Sequence, residues 1–174
     1  RMQIDKGEKS NYIERFHGVE LVFTDVTEKD NHQVVAIPEE MLETGQIIRT
    51  PDFPLKVKVK HFGANCNFDF KENPDERGKI TSDVNRGVGA SANLSILPSD
   101  EDFSSDAVNF SYVVFELLDG SEELGTWAAI SHPAGNGRWD MVHPKLANLS
   151  FQPIRHNGRL WGTELRSKRE YLPY

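Results

Sequence analysis

With one cysteine, Cys66, in 174 residues, the chain cannot close a disulfide on itself, nor supply the several thiolates of a cysteine-based metal site. Asn65 and Asn67 flank Cys66, Phe68 follows, and no nearby cation would stabilise a thiolate. It is expected as a small buried residue, not a nucleophile. Long apolar runs are lacking too. No stretch approaches the ~20 residues needed to cross a bilayer, and the opening Arg1-Met-Gln is not followed by a signal peptide's apolar segment. Positive charge is short: 20 Lys and Arg against 27 Asp and Glu leave a net charge of -7 and a pI near 5.4. That argues against a nucleic-acid partner, because neutralising phosphates takes a concentrated basic surface. Heptads and repeats of fixed period are also missing.

What is present is alternation. In Asp52–Phe62, Leu55, Val57 and Val59 share one face while Lys56, Lys58 and Lys60 share the other, the period-two mark of a half-buried strand. Pro54 falls at its start, and the lysines would oppose edge-to-edge pairing if the strand lay at a sheet margin. On the same alternation His61 continues the inward face. Val19–Thr24 and Gln33–Ile37 read as strands joined by a charged turn, with only short extended pieces before residue 19. Asn67–Phe70, Asn93–Leu97 and Trp139–Val142 are shorter candidates. Phe110–Leu118 is apolar on both faces, as befits the deepest strand, and Leu124–Ile130 returns beside it after Asp119-Gly120. Leu149–Arg155 and Arg159–Arg166 flank Asn157-Gly158, the strongest short hairpin signal, and Pro153 marks the first of the two as an edge or bulged strand.

One short helix is predicted over residues 38–44, from Pro38 at a first helical position, acids in the first turn and Gly45 as a C-cap. Gly87-Val-Gly89 has no third glycine and no helical pattern after it, so it reads as a bulge or a close strand crossing, not a phosphate loop. Residues 71–78 read as a charged loop. The fold class is therefore all-β: an antiparallel sandwich or partly closed barrel with one short helix, residues 1–174 forming one domain.

Chemistry is sparse. His17, His32, His61, His132, His143 and His156 make no i, i+4 pair of the kind a helical metal site uses. Ser131, His132 and Asp140 lack a nucleophile elbow. Glu39-Glu40, Glu122-Glu123 and Asp100-Glu101-Asp102 lie in turn-like segments, where solvated charge is the default, and the last lacks the glycine and distal glutamate of a calcium loop. Trp127, Trp139 and Trp161 offer either core or a ring-lined binding face. Asn93, Asn109 and Asn148 head Asn-x-Ser sequences, meaningful only in a glycosylating host. No catalytic residue, metal ligand or cofactor-binding residue is assigned, and no enzyme activity is expected.

The succession of features resembles the ResB-like cytochrome c biogenesis family. It rests on Gly7-Glu-Lys-Ser-Asn-Tyr12, Val19–Asp25, Val35-Ala-Ile-Pro38 with Leu42 and Gly45, and Phe53–Phe62 with Ala64-Asn65. It continues through Arg86-Gly-Val-Gly-Ala90, Leu124-Gly-Thr-Trp127 and Arg166-Ser-Lys-Arg-Glu-Tyr-Leu-Pro-Tyr174. The resemblance implies the extracytoplasmic domain of a membrane protein, at the periplasmic or outer face of the bacterial inner membrane. It would work with a ResC or CcsA-type membrane partner to deliver haem to apocytochrome c, with no cofactor in this domain and haem handled by histidines of membrane segments. The chain is expected to be cut from a longer protein at both ends. A stand-alone secreted carbohydrate-binding or adhesion module is the alternative.

Overall fold

The computed structural model describes residues 12–104, 109–131, 149 and 151–173. In chain order its strands are β1 (Tyr12–Asp25), β2 (Gln33–Pro38), β3 (Ile47–Thr50), β4 (Phe53–Gly63) and β5 (Cys66–Phe70), then β6 (Leu94–Pro98), β7 (Tyr112–Asp119), β8 (Glu122–Ile130), β9 (Gln152–His156) and β10 (Arg159–Pro173). The single α-helix among the described residues, α1 (Gly87–Ser91), precedes β6. All pairings are antiparallel. The strands form open sheets of order β2-β1-β10-β9 and β3-β4-β7-β8 and a small ribbon β5-β6. This is a sandwich rather than a barrel.

The β3-β4-β7-β8 sheet is covered on both faces, and strand β7 shows why its sequence is apolar throughout. Val113, Phe115 and Leu117 join Leu21, Phe23 and Trp161 of the facing sheet in one core. Tyr112 and Val114 join Cys66, Leu94 and Ile96 of the ribbon in another. Strand β8 alternates likewise, Trp127 and Ala129 toward the first core, Ala128 and Ile130 toward the second. Rings knit the first core: Phe23 stacks on Phe53 at 4.1 Å, and Phe53 meets Trp161 edge-on at 4.9 Å. Phe115 is wholly buried, so truncating it to Ala would cost about 3–5 kcal/mol.

Several expectations are met and several corrected. Strand β9, with Pro153, is an edge strand, and Asn157 (φ 47°) and Gly158 (φ 76°) supply the left-handed pair that its hairpin turn requires. Strand β4 lies inside its sheet, between β3 and β7, so its lysines guard no margin. His61 does not continue the inward face. Val59 opposes Phe115 and His61 opposes Val114, so Lys60 is an extra residue and the strand reverses phase there. The helix expected over 38–44 is only a 3-10 turn, Glu39–Met41. Leu42 turns into the core immediately after it, and Gly45 donates to the Val59 carbonyl instead of capping a helix. Residues 71–78 hold a 3-10 turn, Pro74–Glu76, closed by a capping box between Asn73 and Glu76. Strand β1 starts at Tyr12, well before the predicted start, because β10 pairs with it from Tyr12 onward. The candidate Trp139–Val142 strand lies outside the described residues.

Candidate functional site

Gly87-Val-Gly89 is neither a bulge nor a crossing: it lies within α1, and α1 packs on the outer edge of β8. The backbone N–H groups of Asn85 and Arg86 donate to the Thr126 carbonyl at 3.1 and 3.0 Å, and Asn85 Oδ1 accepts the Thr126 N–H at 2.8 Å. An edge that would otherwise offer unpaired groups to another chain is thereby closed. The contact demands bare backbone on both sides. A Cβ on Gly125 (φ +137°) would fall inside the Arg86 side chain, and one on Gly89 would press on Val84 and Ala128 at 3.1 and 3.3 Å. Gln152, fully buried on β9, completes the joint: its Oε1 accepts from Val88 N–H at 3.0 Å and its Nε2 donates to the Ala128 carbonyl at 2.9 Å.

Beside this joint opens a cleft of about 340 Å³ between α1, β8 and β9. Leu124, Trp127, Pro153 and Ile154 form its apolar wall, and Arg86, Arg155 and His156 its polar rim. His156 Nε2 lies 3.3 Å from Asp119 Oδ2, which fixes the imidazole while leaving it 12% exposed. A second cleft of about 500 Å³ on the other side of the β9-β10 turn shares Arg155 and His156. A third, of about 470 Å³, lies over the β5-β6 ribbon beside Phe68, Ile80 and Leu97.

The residues singled out in the sequence are mostly committed to the fold. Trp127 and Trp161 are 5% and 3% exposed, so neither is part of a flat ring-lined face, although one side of Trp127 borders the cleft. Trp139, His132, Asp140 and His143 lie outside the described residues. Ser131 is buried and its hydroxyl accepts the Ser111 N–H, a joint between strand ends and not a nucleophile's setting. Glu39 accepts the Val19 N–H at 2.9 Å. Asp102 is bound by the N–H and hydroxyl of Ser104, which hold its carboxyl below the usual range. Asn93, at φ 53°, donates to the Lys71 and Glu72 carbonyls, and Asn109 exchanges bonds with Asp102. Burial pushes the Cys66 thiol up to about 12. No group of three metal-ligating side chains occurs among the described residues, and no helix among them is long and apolar enough to cross a membrane.

Two carboxyls have unusual surroundings. Glu116 is 7% exposed on β7; burial, together with a hydrogen bond to and the charge of Glu123, raises it above the usual range, against the pull of Lys60 and Lys58. Asp25 is nearly buried, which by itself would raise it, but bonds from the Thr27 side chain and backbone and from Arg159 hold it below the usual range. Sequence reading missed Gln152 and Arg155, and nothing local marks them, since each is a polar residue beside Pro153 or in an edge strand.

No family model, curated protein or solved structure matches the chain. The described residues form a two-core antiparallel β-sandwich with several surface clefts, one of them, rimmed by Arg86 and Arg155, at the edge of its central sheet.

Proposed function

We propose that this chain is the extracytoplasmic domain of a ResB-like protein of cytochrome c maturation, acting as a scaffold for haem delivery and not as an enzyme. The observation that carries the reading is that segments bearing the resemblance interlock. Arg86-Gly-Val-Gly-Ala90 seats on Leu124-Gly-Thr-Trp127 with glycine facing side chain in both directions: Gly125 beneath Arg86, and Gly87 at 2.8 Å from Trp127 for an added Cβ. Asn65, of the Ala64-Asn65 pair, ties three segments together by accepting from Phe110 N–H and donating to Ser99 and Asp100. Residue types that look unspecific one at a time thus have a joint reason to occur together. On this reading a ResC or CcsA-type partner and apocytochrome c use the outside of the sandwich, and haem stays with membrane segments of the complex.

The test is to express a full-length ResB-like protein carrying this domain with its membrane partner, and to compare it with a version lacking residues 12–173. The reading expects haem to remain bound to the membrane complex while partner co-purification and covalent holocytochrome formation fall. Unchanged holocytochrome yield without the domain would overturn it. Of the three rings on which the carbohydrate-binding alternative rests, Trp127 and Trp161 are taken up by core packing.

A further inference from the structure

We infer that the cleft between α1, β8 and β9 is a binding site for a small organic anion with a carboxylate or phosphate head and an apolar body. The inference stands on the cleft alone and does not depend on the haem-delivery reading.

Its polar rim is cationic in a protein of net charge -7. Arg159 is bonded to Asp25, Arg166 to Glu20, and Arg77 to the Val84 carbonyl. Arg86 and Arg155 have no carboxylate partner among the described residues, and both border the same cleft. None of the described residues bordering it is acidic, and Asp119, which pairs with His156, is not among them. Arginines at two points of one rim offer an anion seated there charge-assisted hydrogen bonds.

The apolar wall defines the rest of the ligand. Leu124, Trp127, Pro153 and Ile154 offer ring and aliphatic surface with no hydrogen-bonding demand beyond the indole N–H. The volume, about 340 Å³, falls at the small end of ligand sites, suited to one ring or a short branched chain and not to a polymer. The Arg86 stem lies on the bare backbone of Gly125, which narrows the positions that its guanidinium can take.

The experiment is an amide and indole NMR titration of the 174-residue chain with phenyl phosphate, phenylacetate, inorganic phosphate and benzyl alcohol. The site predicts saturable shifts at Trp127, Gly87 and Arg155 with either aromatic acid, the tighter of the two naming the head group. Inorganic phosphate should bind about tenfold more weakly for want of the apolar body, and benzyl alcohol more weakly still. R86Q/R155Q changes two exposed side chains; it should keep the spectrum outside the cleft and weaken the aromatic acids by about tenfold or more. Absence of saturable shifts up to about 10 mM, equal binding of benzyl alcohol, or shifts unaltered in the double variant would overturn the assignment.

Discussion

Gln152 and Ala128 lie 24 positions apart, yet the side-chain amide of the first donates to the backbone carbonyl of the second at 2.9 Å in the protein interior. The same amide accepts from Val88, so one buried side chain joins α1, β8 and β9.

Q152L should therefore destabilise the protein by about 1–4 kcal/mol, since it leaves a half-buried N–H and a buried C=O without their partner. Q152E keeps the acceptor for Val88 but turns an oxygen toward the Ala128 carbonyl, and is expected to be worse at neutral than at acid pH, where protonation restores a donor. Urea denaturation at two pH values checks both, and a Q152L midpoint equal to wild type would refute the joint.

Thr163 has the opposite problem. Its hydroxyl is fully buried on β10 with no hydrogen-bond partner among the described residues, as is that of Thr81. T163V keeps the shape and removes the orphaned group, so it should stabilise by about 1 kcal/mol. A lowered urea midpoint for T163V would show that the hydroxyl has a partner after all.

Asp25 and Glu116 should tilt stability in opposite directions with pH. The Asp25 carboxyl is held below its ordinary 3.8, so its contribution is present above that value and is lost as pH falls through the folded-state value. Glu116 is held above its ordinary 4.5, so its contribution is present below that value and is lost as pH rises through the folded-state value. Relative to wild type, D25N should flatten the acid limb of a stability-against-pH curve, and E116Q should flatten the decline above 4.5. E116Q leaving that decline unchanged would show that burial and Glu123 do not together hold Glu116 above its ordinary value.

Cys66, 3% exposed with its thiol pushed up to about 12, should resist alkylation. Iodoacetamide near pH 8 is expected to react about 10³-fold more slowly with the native protein than with the urea-unfolded chain. Comparable rates would mean that the ribbon side of the molecule opens readily.

Legibility followed a simple rule. Strands with one face buried announced themselves, as Leu55, Val57 and Val59 did, and so did the doubly covered β7 and the Asn157-Gly158 turn. Features that depend on what lies opposite did not. Five residues with two glycines carry no helical periodicity, so α1 could be found only once β8 was there for Gly89 to lie against. The cleft draws on residues 86–87, 124–127 and 153–156, segments that nothing in the linear pattern connects. Gln152 reads as a surface residue until its two backbone partners are placed.

The extra residue at Lys60 gives β4 two parities. Before it, odd-numbered side chains, Leu55, Val57 and Val59, belong to the first core; after it, an even-numbered one, Phe62, packs there, and His61 shares its face with Val114. K60A should cost about 0–1 kcal/mol, the worth of an exposed ion pair with Asp83. Deleting Lys60 would restore unbroken alternation while His61, Phe62 and Gly63 stay opposite Val114, Val113 and Tyr112, so only the bulge and its ion pair with Asp83 are lost. The bulge is thus one residue that the ladder absorbs without losing its register on either side, and comparing the thermal unfolding of K60A with that of the deletion would separate the worth of the lysine side chain from the worth of the extra backbone unit.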